Sequence, residues 1–528
     1  PLTVQLEWNG QTREVRTRLP ASRTGRTGDC DLKILVPEDE RFVRANVAFL
    51  YGNRVFEFVR IEAAVLLADE EPRARDELQV QVQLQERELI ELEDRTDCDA
   101  TLICETDPDA RDEDGRPVTR VLEFGAQGAA ELSLGKTERA VAWLNKELFI
   151  ANKNLVRAQQ RAGDSDDEPL LDAEDETVLT MLRRLAEHGA TFYNELTGQP
   201  RFADPGRRIR LMNLTPDEYT PLEFVYDRGY PASDARLCDG WREALAGDAD
   251  ECPCCGPAGD AAESGDRVPI ICPLGFWSLR KIIERLDPYE VRPGDAERGD
   301  ATRSVPRNDR RVLPPIDHAL FGASHRVEAR DREETIAALR DELPLVDVAD
   351  GWSAWRDAIR PAPIPLLVAL PHHGIRDAQD YLEIGGDQTP DDDRFLERGR
   401  LVHSFVNPQK AEPGPIVLLI GCDTAGGTAT GYPTLARRFQ QLHTSIVVGT
   451  LAKILGRHAA PVARELVHQL ATVDDPEADF GTIMRRVRRR MLLKGYLMAM
   501  CLVALGDGDW HLGAHEDNTP VTPDSNEP

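Results

Sequence analysis

Two stretches decide how this chain reads: PLLVALPHHG at 365–374 and IVLLIGCDTAGG at 416–427. Each opens as a short run of branched apolar residues, the length of a buried strand and too short for an ordinary helix. Each then stops on glycine beside a reactive side chain. Similar runs recur on both sides, in RIRLMNL (208–214), HALFGAS (318–324), TSIVVGTL (444–451) and YLMAMCLVALG (496–506). Between them the apolar period lengthens to that of a helix, in SLRKIIERL (278–286), EETIAALRDEL (333–343), DGWSAWRDAIR (350–360), PTLARRFQQLH (433–443), APVARELVHQLAT (460–472) and GTIMRRVRRRMLLKG (481–495). Strands alternating with helices imply an α/β fold, with a mostly parallel sheet covered by helices on both faces.

The first hundred residues read differently. LTVQLEWNG (2–10) alternates, RFVRANVAFLYGNRVFEFVRIEAAVLLA (41–68) gives two runs around Gly52-Asn53, and ELQVQVQLQERELIEL (77–92) alternates again. We expect a small β-rich N-terminal domain over 1–125. An acidic loop, ETDPDARDEDGRP (105–117), closes it, and a helical period runs from Leu132 to about Gln160. The second unit is then 132–513, carrying a cysteine-rich insert near 238–272, with a polar, disordered tail over 514–528.

Composition narrows the function classes. The chain has 528 residues, 93 Asp or Glu against 64 Lys or Arg, and a formal net charge of -29. That balance repels nucleic-acid phosphates, so direct nucleic-acid binding is not expected. Only eight of the basic residues are Lys, a compositional bias without functional meaning. No apolar run is long enough to span a membrane. The opening PLTVQLEWNG has neither a basic n-region nor an apolar h-region, so no secretory signal is expected, and Pro1 suggests removal of an initiator Met. Ten cysteines are too sparse for a disulfide scaffold and fit a reducing cytoplasm.

Reactive groups of open α/β sheets sit just past the carboxyl ends of strands. Here one strand runs into Pro371-His372-His373-Gly374 and another into Gly421-Cys422-Asp423. His373 precedes Cys422 by 49 residues (422 minus 373), the order and spacing of a caspase-type dyad. Cysteine attacks as the thiolate, and an imidazole can take its proton and return one to the leaving amine. The backbone N–H groups of Gly374 and Cys422 would face a tetrahedral oxyanion. His372 is the rival imidazole, but its next residue is not glycine. Gly421 to Gly431 is glycine-rich after a strand, yet lacks the lysine of a phosphate loop. The arginine run Arg485, Arg486, Arg488, Arg489 and Arg490 reads as a charged outer helix face paired with surrounding acid.

These two motifs resemble those of the CHAT family, caspase-like cysteine peptidases of clan CD. LLVALPHHG is similar to the family's strand ending in His-Gly, and IVLLIGCDTAG to its strand ending in Ala-Cys-Glu-Thr-Gly. PLEFVYDRGYP (221–231) resembles the Pro-Trp-Glu segment near the domain's start, YLEIGG (381–386) a short strand between the dyad residues, FQQLHTSIVVGTLAKI (439–454) the segment after the cysteine, and LVALGDGDW (502–510) the last strand. The likeness spans about 135 to 513. Asp423 replaces the usual glutamate, Phe224 follows Glu223 where the family differs, and the cysteine insert is not part of the common pattern.

The resemblance implies His373 as general acid/base and Cys422 as nucleophile, with no cofactor needed for catalysis. It also implies a protein substrate, such as a gasdermin-like or other effector protein, and a bacterial defence or cell-death role switched on by a partner or signal. Relatives often prefer a basic residue before the cut, so Asp423 and Asp377, and also Asp380, are candidates for an acidic substrate pocket. The alternative expectation is a catalytically inactive CHAT-like adaptor that binds proteins.

Cys238, Cys252, Cys254, Cys255 and Cys272 form a separate question. Four thiolates drawn from them, Cys238, Cys252, Cys255 and Cys272, could close tetrahedrally on a structural Zn²⁺. Free buried thiols or a redox pair are the competing readings. The spacing does not read as two clean knuckles, and Cys252, Cys254 and Cys255 look too tight for all three to hold one metal.

Overall fold

A computed structural model describes residues 1–18, 29–66, 78–85, 92–111, 117–126, 128–134, 146, 150, 153, 154, 157, 172–197, 204–214, 220–256, 267–286, 311–376, 379–421, 434–452, 454, 456–472, 475 and 477–513. The tail expected over 514–528 and residues 287–310 lie outside them.

The alternating N-terminal runs form a five-stranded antiparallel sheet, in the order Gln11–Thr17, Leu2–Trp8, Phe42–Tyr51, Arg54–Ala64, Gln79–Gln85. Period-two alternation gives it two apolar faces. Val4, Leu6, Trp8, Val47 and Phe56 pack on one side. Ala48, Leu50, Val55 and Phe58 pack on the other against Ile103, Phe124, Met212 and Leu286 of the neighbouring sheet.

That neighbour is the eleven-stranded mixed sheet at the centre of the molecule. Its order is Leu345–Ala349, His318–Ala323, Leu366–Leu370, Ile416–Leu419, Ile446–Thr450, Leu502–Gly506, Ile282–Leu286, Arg208–Asn213, Ala100–Arg111, Pro117–Gly125, Gly128–Leu134. Six of its ten pairings are parallel and four antiparallel. The α/β expectation holds, and the first five strands are wholly parallel with near-complete burial of the middle three. Helices Ala329–Glu342, Trp352–Ile359, Gly456–Ala471 and Phe480–Leu493 form at the expected places. Among the described residues no helix is long and apolar enough to cross a membrane.

Several local readings change. SLRKIIERL makes only a one-turn helix, Trp277–Arg280, before becoming the strand Ile282–Leu286, buried at all five positions. Its β-branched pair and pairing on both edges outweigh the helical period. YLMAMCLVALG is a 3₁₀ turn, Leu497–Cys501, and only then a strand. The helix read from Leu132 starts later, because Gly128–Leu134 is a strand; positions 146, 150, 153, 154 and 157 are helical. The strands Ala100–Arg111 and Pro117–Gly125 hydrogen-bond into the large sheet.

The arginine run is also not an outer face. Arg485, Arg488 and Arg489 are buried. Arg488 donates to the Leu502 carbonyl, Arg489 to those of Leu279 and Gly247, and Arg485 to that of Arg280, while Arg485 and Arg486 pair with Asp250 and Asp248. The helix Phe480–Leu493 thus grips the 247–250 loop inside the cysteine insert.

Candidate active site

The five parallel strands occur in spatial order second, first, third, fourth, fifth along the chain. Such a sheet has a topological switch point between its first and third strands, where their carboxyl ends part and leave a crevice. Here those strands are His318–Ala323 and Leu366–Leu370. Ser324-His325 leaves the first and Pro371-His372-His373 the third, with Gly421 leaving the next strand along.

Pro371 and Gly421 are in direct contact. Register pairs Ala369 with Leu419, and the Ile420 N–H donates to the Ala369 carbonyl at 3.0 Å. A β-carbon built on Gly421 would lie 2.2 Å from the Pro371 carbonyl oxygen. Thr450 Oγ1 donates to the Gly421 carbonyl at 2.6 Å, fixing the peptide from the other side. The chain that carries the imidazoles and the chain entering Cys422 therefore leave the sheet side by side. A methyl at 421 must push backbone against backbone, so Gly421→Ala should lower stability by about 1–3 kcal/mol, the cost of overpacking. An unchanged melting temperature would show that the two backbones do not touch.

His373 continues into a three-stranded antiparallel sheet, His372–Arg376, Gln379–Glu383, Phe395–Glu397. Its Nε2 lies 3.1 Å from Asp380 Oδ1. The pair is mostly buried, the His373 side chain 12% exposed and that of Asp380 28%. Asp380 is thus occupied with the imidazole and is not a free wall of a substrate pocket. Gly374 stands opposite Tyr381, and a β-carbon there would meet the phenol oxygen at 2.4 Å, so the Tyr381 ring lies across it. That ring packs edge-on to Phe395 at 4.9 Å. His372 stands opposite Glu383 in the ladder, on the face away from His373.

Sequence reasoning missed the other wall of the crevice. Glu383 is fully buried, with Oε1 3.0 Å from His325 Nδ1 and Oε2 accepting from Arg326 Nε at 3.1 Å. His325 Nε2 lies 3.0 Å from Asp387. His325, at the end of its strand, thus sits between the carboxylates of Glu383 and Asp387 in the 383–387 turn. Reading HALFGASH by the strand-end rule used for the other two motifs would have flagged it. Asp377, Cys422 and Asp423 lie outside the described residues.

The predicted thiols are brought together elsewhere, beside the two-stranded parallel sheet of Pro231–Leu237 and Val268–Ile271. The sulfurs of Cys238, Cys252, Cys254 and Cys255 lie within 4.8 Å of one another, and Cys272 hydrogen-bonds to Cys238. The tight Cys252–Cys255 segment thus puts all three of its sulfurs into one group.

The Pro-Leu-Glu segment also has a structural role. Glu223 and Arg285 form a fully buried bidentate pair, at 2.8 and 2.5 Å, and Arg285 also donates to the Thr220 carbonyl.

No family model matches the chain, and no curated protein matches it. Among solved structures, two of the Saccharomyces cerevisiae separase–securin complex are similar, with TM-scores of 0.36 and 0.38 and 10% sequence identity in each case. The match covers 77% of this chain and 30% of those chains, so this chain spans less than a third of the length of the proteins it matches.

Proposed function

We propose that the chain is a cysteine endopeptidase of the caspase-like, CHAT type, with Cys422 as nucleophile and His373 as general acid/base. The observation that supports this best is the contact of Pro371 with Gly421. It brings Pro371, which precedes His373-Gly374, against Gly421, which precedes Cys422, at the carboxyl ends of two adjacent strands next to the switch point. In this reading His373 takes the Cys422 proton, the thiolate attacks the scissile carbonyl, and His373 returns the proton to the leaving amine. The backbone N–H groups of Gly374 and Cys422 stabilise the oxyanion. Water then releases the acyl group from sulfur. The substrate is a protein, the role is that of a bacterial defence or cell-death effector, and a partner or signal turns the enzyme on. Asp423 and Asp377 are the acids proposed to meet a basic substrate residue.

Asp380 takes the part of the group that orients the base, holding the His373 ring by its Nε2. Asp380→Asn should lower kcat by about 10²-fold, within what general acid–base catalysis supplies, with KM unchanged. Asp380→Glu should recover part of it. A change confined to KM would instead make Asp380 a substrate contact.

The test of the whole reading compares new protein N-termini in a lysate of the source cells after addition of the chain or its Cys422→Ala variant. Cleavage products seen only with the unsubstituted chain support a peptidase. Equal product patterns from both would exclude the dyad. A chain that captures partners and cuts none of them under activating conditions would be the adaptor.

A further inference from the structure

We propose that Cys238, Cys252, Cys255 and Cys272 bind one Zn²⁺ that staples the insert to the body of the protein. Three separate segments converge on one point. The paired strands Pro231–Leu237 and Val268–Ile271 run in parallel with Leu237 level with Ile271, so Cys238 and Cys272 leave them together. The Cys238 N–H donates to the Ile271 carbonyl at 3.0 Å. The third segment, Cys252-Pro253-Cys254-Cys255-Gly256, is a C-x-x-C turn followed by glycine. Its ends close through the Gly256 N–H on the Cys252 carbonyl at 3.0 Å, with Gly256 at φ +65°, a conformation that favours glycine.

The sulfurs are placed as ligands. Cys252 Sγ accepts from the backbone N–H groups of Cys254 and Cys255, and Cys272 Sγ from that of Leu274. Such N–H···S bonds orient thiolates around a metal and offset their charge. Cys238 and Cys252 sulfurs are 3.7 Å apart. Four sulfurs at the usual zinc–sulfur distance sit about 3.8 Å from one another. A disulfide needs about 2 Å, so these thiols are spaced for an ion between them rather than for a bond. Cys238, Cys252 and Cys272 are each 2% exposed, which suits a closed structural site. Cys254 Sγ also lies in the group, 3.5 Å from that of Cys252 and 3.4 Å from that of Cys255, and takes the Gly240 N–H at 3.4 Å; it is exposed, so the fourth position in the shell goes to the buried Cys272 beside Cys238. An all-thiolate tetrahedral set selects zinc over harder divalent ions.

The surroundings are built to hold a doubly negative zinc–thiolate centre. Arg228 donates to the Cys255 carbonyl at 3.1 Å and the Gly256 carbonyl at 2.6 Å. Loop 247–250, just before the turn, is held by Arg485, Arg486 and Arg489 of the helix Phe480–Leu493. Binding replaces up to four thiol protons with one metal ion and releases them to solvent.

The experiment uses the full chain purified under reducing conditions. Elemental analysis should find one zinc per chain, released as one equivalent when a mercurial titrates the thiols. Replacement by Co²⁺ should give the sulfur-to-cobalt charge-transfer and intense visible bands of a tetrahedral thiolate site. Cys252→Ser with Cys255→Ser should abolish both signals, as should Cys272→Ser, while Cys254→Ser and Cys30→Ser keep them. Because the substituted chains could misfold, the cobalt spectrum and mercurial release on the unsubstituted chain stand as tests by themselves. Zinc below about a tenth of an equivalent, a mapped disulfide among the five thiols, or zinc kept in the double variant would overturn the site. Loss with Cys254→Ser and retention with Cys272→Ser would overturn the ligand set. None of these readouts depends on peptide cleavage.

Discussion

Substituting Cys422 with alanine should lower protein cleavage by at least about 10³-fold while leaving the fold intact, since removal of a nucleophile leaves only binding and oxyanion stabilisation. In sequence, position 422 follows the strand Ile416–Leu419. Ile416–Leu419 is fully enclosed, and Gly421 is held by Pro371 and Thr450. His373→Ala should fall by a similar factor, because a thiol without its base is mostly protonated near neutral pH. The double variant should be no worse than either single one, since the two side chains act in the same step. A buried cysteine is the proper control. Cys98 is fully enclosed, and burial pushes its thiol up to about 12, so it is no rival nucleophile. Turnover by Cys422→Ala within tenfold of the parent would remove the dyad.

Asp509→Asn should destabilise the protein by about 3–5 kcal/mol, the cost of removing one partner from a buried ion network. Asp509 is completely enclosed. It accepts from Arg95 at 2.7 Å and Arg311 at 2.8 Å, and lies 3.4 Å from Arg54. Asp507 shares Arg95 and Arg311, each at 2.9 Å. Arg54 also grips Glu284 at 2.6 and 2.9 Å, and Glu284 takes Arg208 at 2.7 Å. Arg311 further lies over the Trp510 ring at 4.0 Å. The network ties the N-terminal sheet, through Arg54, and the segment that follows it, through Arg95, to the central strands and to the turn after the Leu502–Gly506 strand. An amide at 509 keeps the shape but leaves three guanidinium groups short of charge.

Burial alone would raise the Asp509 carboxyl, but Arg54, Arg95 and Arg311 outweigh it and hold it well below the usual carboxylate range. A group depressed in the folded state stabilises above its unfolded value, about 3.9, and that contribution is lost as pH falls below it. The urea midpoint of the parent should therefore drop below about pH 4, and that of Asp509→Asn should drop less. Asp172→Asn, in an exposed pair with Arg242, should cost under about 1 kcal/mol. A similarly small loss for Asp509→Asn would mean that the network does not join the two sheets.

Sequence reading succeeded where one chain segment carries its own signal. PLLVAL and IVLLI are strands because they are apolar throughout, and their neighbours in the parallel sheet cover both faces. The strand-end rule then singled out His373 and Cys422 without knowledge of the strand order. It failed where a segment's environment overrides its pattern. Ile282–Leu286 has a helical period yet sits between two strands, with Glu284 neutralised by arginines far away in sequence. Leu345–Ala349 is a five-residue sheet edge between two strong helices, and Asp347 interrupts its apolar run. Arg485, Arg488 and Arg489 read as surface because single-sequence charge points outward, whereas backbone carbonyls of distant strands and turns receive them.

By itself the sequence determined the chemistry on offer: an α/β sheet, a β-rich start, a His-Gly and a Gly-Cys motif at strand ends, and five thiols in one insert. Period and residue type are local properties, so they survive in one dimension. Only the tertiary structure decided the company these groups keep. It set Gly421 against Pro371, gave His373 the carboxylate of Asp380, clamped His325 between Glu383 and Asp387, and drew Cys238 and Cys272 level with the Cys252–Cys255 turn. Those partners come from strand order and register, which here pair residues from seven (380 minus 373) to 62 (387 minus 325) positions apart and leave no periodic trace along the chain.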